Sequence, residues 1–263
     1  SLQREANRYF GYTAKKTLDM LQELYEEKLV TYPRTDSQYL TEDMEQTARN
    51  VVRQIYEKYQ LTGPFDQPEQ PDVKKVMNNS KVTDHHAIIP TMELTSCHMD
   101  ELKSWEEKIL FLIAVHTVMA MSKNHIYQET EIEVECQGEV FKTKGKTVLQ
   151  DGWKIFENCF KNKDRMAIAD PDQEMKERIP KVTKGQTFYA VAAEKTEHFT
   201  SPPKPYSEDT LLAAMETAGN KEFDEDTEKK GLGTPATRAG IIEKLIYSQY
   251  AIRKGKQIIP TDD

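Results

Sequence analysis

The feature that most constrains this chain is a change of period part-way along it. Up to about residue 124 the apolar residues recur at helical spacing, and beyond it they alternate. Leu18, Leu21 and Leu24 form one stripe. Met44, Val51 or Val52, Ile55 and Tyr59 form a second. Leu102, Trp105, Ile109, Leu112, Ile113 and His116 form a third. By contrast Thr130, Glu131, Ile132, Glu133, Val134, Glu135 and Cys136 alternate strictly, as a half-buried strand does. The two periods belong to different kinds of element, so the chain is expected to be α+β and built from more than one domain. We expect helices over 1–125, a β-rich region over 126–205 with strand-like pieces at 138–149 and 186–194, and helices again over 206–263.

Local punctuation supports the helical boundaries. Gly11 ends a short helix over 2–10, and Thr13 is placed to cap the next. Helix, short Gly-containing turn, helix is the helix-turn-helix pattern, although two ordinary packed helices produce it equally well. Thr41 is expected to cap a third helix, Asp100 to open a fourth and Ser207 to cap a later one. In Thr234-Pro235 the proline falls at a favoured first position of a last helix. Residues 250–260 read as a hairpin turning at Lys254-Gly255-Lys256. Segments 62–72, 161–184 and 219–232 read as polar loops.

Bulk properties exclude some classes. Of 263 residues, 37% are hydrophobic and 30% charged, and the longest apolar run, 109–115, is far short of the ~18 residues that span a bilayer. No membrane partner is expected. Cys97, Cys136 and Cys159 lie far apart and suggest neither a zinc ribbon nor a disulfide framework. The formal net charge of −8 argues against a protein that coats DNA by general positive charge, but leaves room for a local basic groove.

Three segments carry possible chemistry. In Thr31-Tyr32-Pro33-Arg34-Thr35-Asp36-Ser37 an extended backbone would put Arg34 on the same side as Tyr32. A guanidinium there can hold a phosphate and stabilise charge as the phenol attacks phosphorus. In Asp84-His85-His86-Ala87-Ile88-Ile89-Pro90-Thr91 either histidine could donate to a phosphate oxygen near neutral pH. In Gly231-Leu232-Gly233-Thr234-Pro235-Ala236-Thr237-Arg238 a glycine-rich turn feeds a helix N-terminus. Free N–H groups, two threonine hydroxyls and an arginine there would make a phosphate site. Taken singly, each has a commonplace reading: a packed tyrosine beside a surface arginine, a solvated histidine pair, a capped helix start.

Taken together and in this order, the segments resemble the type IA DNA topoisomerases of the topoisomerase III kind. Gln3-Arg4-Glu5-Ala6-Asn7-Arg8 resembles the approach to the family's tyrosine motif. The stretch 201–216 resembles its return into the base domain. The resemblance covers nearly the whole chain. It implies Tyr32 as nucleophile, with Arg34 and His85 assisting at the scissile phosphate. It implies His86, Thr234, Thr237 and Arg238 as contacts to single-stranded DNA. It also implies a winged-helix-like, CAP-like domain bearing the tyrosine over 1–125, a β-rich hinge or gate over 126–205, and part of a helical base over 206–263 of a toroidal enzyme. The reaction implied is cleavage through a 5′-phosphotyrosine link, strand passage and resealing, in the bacterial cytoplasm with the nucleoid.

The family's magnesium sits in an acidic Toprim domain that resembles nothing in this sequence, which opens on Ser1 and reads as a central piece of a longer protein. No metal is therefore expected in this piece, and the piece alone is not expected to relax DNA. Asp170-Pro171-Asp172 and Asp224-Glu225-Asp226 read as a turn and a solvated charge run. A rival reading is a non-catalytic winged-helix DNA-binding protein using 14–27 as recognition helix. That segment sets Lys15 and Lys16 against Asp19, Glu23, Glu26 and Glu27, the wrong sign for the task.

Overall fold

In the computed structural model the described residues are 1–61, 71–163, 180, 182–189, 191–219 and 231–261, without the side chains of 159 and 161–163. The chain divides into two compact units. The first comprises Ser1–Lys123, Trp153–Met166 and Pro205–Asp263; the second comprises Asn124–Gly152 and Ala167–Lys204.

The first unit is helical. It contains α1 (Leu2–Phe10), α2 (Ala14–Glu26), α3 (Glu45–Tyr59), α4 (Ser104–Ala120), α5 (Lys154–Lys163), α6 (Glu208–Thr217) and α7 (Pro235–Tyr247). A short hairpin of β3 (Ala251–Lys254) and β4 (Gln257–Pro260) completes it. Helix α4 is apolar on nearly every side. Ile109 to Val115 and Val118 are all buried, so it is the rod on which α1, α2, α3 and α5 pack. Leu21 and Leu24 from α2, and Val51, Val52 and Ile55 from α3, join the same core. A smaller core gathers Ala14 with Leu212 and Met215 of α6, Ala239 and Ile242 of α7, and Ala251 and Ile258 of the hairpin.

Gly11 takes a left-handed conformation (φ 70°) that closes α1, and the Thr13 hydroxyl accepts from Lys16 N–H to open α2, as their sequence positions predict. Two starts differ from expectation. Thr41 makes no capping bond, and a 3₁₀ turn at Glu42–Met44 intervenes before α3. Helix α4 begins at Ser104 rather than at Asp100, because the buried Glu106 carboxylate reaches back to Lys103 N–H at 2.6 Å and closes the first turn there.

The stretch expected to be β-rich is mixed. β1 (Ile126–Cys136) and β2 (Glu139–Gln150) form an antiparallel hairpin turning at Gln137-Gly138, both with positive φ. Glu129, Glu131 and Glu133 stand opposite Lys146, Lys144 and Lys142. The alternation that reads as half-buried is thus a cross-strand charge ladder on two largely exposed strands. Of residues 186–194, expected to be a strand, the described ones form no strand pairing with any other described residue, and Tyr189 is 86% exposed. Alternation by itself forms no ladder without a partner edge. Residues 154–163, inside the same stretch, are helical. Phe156 and Phe160, four positions apart, are buried against α3 and α4, where Phe160 stacks on Phe111 at 5.5 Å. The Asp170-Asp172 and Asp224–Asp226 segments lie outside the described residues, as do most of the three expected loops.

A polar layer joins α1 and the start of α2 to α6. Asp209 accepts from Arg4 Nε at 2.8 Å and pairs with Arg8 at 3.0 Å, and its own N–H donates to Asn7 Oδ1. Glu208 accepts from Ala14 N–H at 2.6 Å and pairs with Arg253, which also binds Glu243. Glu208 and Asp209 are buried, and each has cationic or N–H partners, so neither charge is left uncompensated.

A second polar joint links α1 to α4: Glu5 pairs with His116. Burial would raise the Glu5 carboxyl, but the hydrogen bond and charge of His116, with Arg8, outweigh it and hold the group below the ordinary glutamate range. A carboxyl depressed on folding contributes stability that is present above its unfolded value and lost as pH falls through the folded one. Unfolding titrations in urea from neutral pH to about pH 3 should therefore show Glu5→Gln less stable at neutral pH and less sensitive to acid than the parent. Parallel pH profiles would remove this joint from the acid response.

Candidate active site

The tyrosine motif is held by its neighbour rather than by a sheet. After α2 the chain turns at Lys28 (φ 62°), buries Leu29 and Val30 and runs extended. Val30 then forms an antiparallel bridge with Pro90. Thr31 N–H donates to Ile89 O at 3.0 Å, and Thr91 N–H donates to Leu29 O at 3.0 Å. The Thr31 hydroxyl donates to Ala87 O at 3.2 Å and accepts from Ile89 N–H at 3.0 Å. Further along, the Thr35 hydroxyl donates to His85 O at 2.9 Å, and Ala87 N–H donates to Tyr39 O at 2.8 Å. These bonds join two segments about 55 residues apart in sequence.

The result is an aromatic cluster. The Tyr32 ring lies 4.0 Å from the exposed His85 ring at 33°. It also meets Tyr25, in the last turn of α2, at 5.5 Å and 89°. Among the described residues the Tyr32 hydroxyl has no hydrogen-bond partner. His86 is turned away: its Nδ1 lies 2.8 Å from Ala87 O.

Residues 33–38 wall a cleft of about 780 Å³ that opens between them, α1, α4 and the start of α7. Arg34 is exposed and lines it; Tyr32 does not. Glu5 and His116 line it too. Across it stand Gly233, Thr234 and Arg238. Gly231 and Gly233 have φ of 65° and 69°. A Cβ on Gly231 would meet Met215 O and Glu216 O at 2.4 Å, so the turn sits directly on the end of α6.

The glycine motif differs in detail from a set of free phosphate ligands. The Thr234 hydroxyl caps α7, and the Thr237 hydroxyl accepts from Thr234 N–H at 2.8 Å. Arg238 is 5% exposed, and its guanidinium donates to Leu232 O at 3.0 Å and Gly233 O at 2.9 Å, with Glu216 at 3.5 Å. Gln3 Nε2 donates to Pro235 O at 2.9 Å and ties α1 to this helix start. The described residues include no group of three or more His, Cys, Asp or Glu placed to hold a metal ion.

The model of one protein family, described as DNA topoisomerase, matches residues 1–263. The chain belongs to the DNA topoisomerase family. It is of the type IA, topoisomerase III-like kind. A protein named DNA topoisomerase 3 from Bacillus licheniformis is 38% identical over 278 residues, covering 99% of this chain. One of the same name from Bacillus subtilis is 38% identical over 272 residues, again covering 99%. The chain spans 36% of the length of each. In fold it is similar to full-length topoisomerase I from Thermotoga maritima, with a TM-score of 0.61 at 23% identity over 99% of this chain and 39% of that one.

Within this topoisomerase chain the structure brings Tyr32 and His85 together and sets Arg34 on the cleft opposite the glycine motif. Two features of the site have almost no signature in the sequence. Tyr25 is marked only by its place at the end of α2, and the Glu5–His116 pair is masked because His116 falls in an apolar stripe.

Thr31 is the key fastener. Thr31→Val keeps the shape but leaves Ile89 N–H and Ala87 O without their side-chain partner, so thermal or urea unfolding should show a loss of about 1–3 kcal/mol. Thr31→Ser, which retains the hydroxyl, should recover most of it.

Proposed function

We propose that the protein to which this chain belongs cleaves, passes and reseals DNA strands, with Tyr32 as the nucleophile. The observation that carries the reading is the Tyr32 ring held between defined neighbours, its hydroxyl without a hydrogen-bond partner among the described residues, next to a cleft walled by Arg34. The phenol oxygen attacks a backbone phosphorus. An O–P bond to tyrosine forms and the bond to the 3′ oxygen breaks, which frees a 3′ hydroxyl and takes up the proton that the phenol gives away. The 5′-phosphotyrosine link keeps the ester's energy for resealing, when the 3′ hydroxyl attacks in turn. Arg34 neutralises charge that grows on the phosphoryl oxygens, and exposed His85, against the Tyr32 ring, is in place to donate to the same phosphate.

The substrate we propose is single-stranded DNA running along the cleft. The start of α7, through the positive end of its helix dipole, contacts backbone phosphate. Arg238 serves by holding Leu232 and Gly233 in the shape of that turn, and His86 borders the strand. In domain terms we propose that the helical region through residue 125 is a winged-helix-like carrier of Tyr32. The hairpin region within 126–205 serves as hinge, and the region from 206 as part of the base. Magnesium is the metal implied for such an enzyme. The described residues offer no cluster to hold it, so it is proposed to bind outside them, and no step above depends on it. No described helix is long and apolar enough to cross a membrane, and we place the protein with bacterial DNA in the cytoplasm.

The test uses the full-length protein and end-labelled single-stranded DNA, with covalent complex trapped in denaturant. Tyr32→Phe keeps the ring and loses only the hydroxyl. It should abolish the labelled adduct while leaving DNA affinity within about fivefold, since a lone hydrogen bond is worth roughly 1 kcal/mol. An adduct that persists in Tyr32→Phe would overturn the reading.

A further inference from the structure

We propose that Tyr25 is a positioning residue for Tyr32, acting through the contact of the two rings; this rests on the reading of Tyr32 as nucleophile. The geometry is specific. The two centroids are 5.5 Å apart and the planes cross at 89°, an edge-to-face pair. That arrangement sets the positive rim of one ring against the negative face of the other and favours one relative orientation.

Both rings stand on fixed backbone. Tyr25 O accepts from Lys28 N–H at 2.9 Å, and Leu24 O accepts from Leu29 N–H at 2.9 Å, so the turn that follows α2 is closed twice. The left-handed residue Lys28 sends the chain back past the last helical turn, and the Val30–Pro90 bridge then holds the strand that carries Tyr32. A seven-residue separation in sequence becomes a direct ring contact.

Three observations favour a role in aiming Tyr32 over a role in the core. Tyr25 is 37% exposed, whereas its neighbours Leu21 and Leu24 are fully buried and already anchor α2. Its hydroxyl has no hydrogen-bond partner among the described residues, so what it offers Tyr32 is the ring alone. His85 supplies the other ring contact to Tyr32, at a different inclination of 33°. Two contacts of different inclination limit rotation of the Tyr32 side chain more than either does alone. A nucleophile so limited spends more time aligned with phosphorus, which raises the rate of attack without strengthening the binding of DNA.

The consequence is a split between rate and affinity. Adduct formation is measured in the full-length protein with end-labelled single-stranded DNA, giving the rate at saturating DNA and the concentration at half-saturation. Tyr25→Leu, which keeps an apolar side chain but has no aromatic ring, should slow the saturated rate by about two- to tenfold. That is the usual worth of one edge-to-face pair converted at tenfold per ~1.4 kcal/mol. Half-saturation should not move, and Tyr25→Phe should restore the parent rate. A parent-like rate in Tyr25→Leu would overturn the proposal. So would an equal loss in Tyr25→Phe, which would make the hydroxyl the active part, or a rise in half-saturation at unchanged rate, which would make Tyr25 a DNA contact. Tyr32→Phe run alongside separates the two levels: an adduct that survives there defeats the reading of Tyr32, and one that vanishes there leaves Tyr25 judged on its own variants.

Discussion

The two-stranded splice between residues 29–31 and 87–91 is the constraint on which the candidate site depends. Four hydrogen bonds and one bridge connect segments that share neither a sheet nor a helix. The side chain of Thr31 makes two of them, donating one and accepting the other. Because the splice sets the register of one segment on the other, it decides that His85, and not His86, lies against Tyr32. The splice in turn rests on the main apolar core, in which Ile89 and Val30 are buried together with Leu24 and the apolar residues of α4. A nearly all-apolar central helix is thus the platform for an exposed, polar site.

The opposite wall of the cleft is held by different physics. There the apolar core is small, and buried ionic contacts do the orienting: Asp209 with Arg4 and Arg8, Glu208 with Arg253 and Ala14 N–H. Such pairs add little net stability once desolvation is counted, but they accept few alternative arrangements. The glycine turn is specified in the same manner. Gly231 fits against α6 only without a Cβ, and Arg238 fills the space beneath the turn with its guanidinium. A residue type that suggests a phosphate ligand in the sequence serves chiefly as scaffold in the fold.

Much of this was legible in the sequence because it is local. Gly11 and Thr13 at the α1–α2 turn, Ser207 at α6 and Thr234-Pro235 at α7 act on backbone within four residues, and the structure places them as expected. What was not legible depends on partners distant in sequence. Alternation at 130–136 does not reveal whether the strand face is buried or, as in this hairpin, matched to lysines on the next strand. The pattern at 186–194 has no partner strand among the described residues. Helix α5 is ten residues long, and its two buried phenylalanines are too few to declare a period. Nor can sequence tell that Arg238 folds back on its own turn, or that Tyr25 reaches Tyr32, since both are set by chain reversals at left-handed residues.

The central claim is that Tyr32 is the atom-bearing residue of the covalent step, and one measurement addresses it directly. Full-length protein is reacted with a short single-stranded oligonucleotide, quenched in denaturant, and digested with nuclease and trypsin. Cleavage after Lys28 and Arg34 isolates residues 29–34, in which Tyr32 is the only tyrosine. The expected result is that peptide carrying a nucleotide remnant, with fragmentation placing it on Tyr32. A remnant found on any other residue would contradict the assignment of Tyr32 and, with it, the functional role of the splice that holds it.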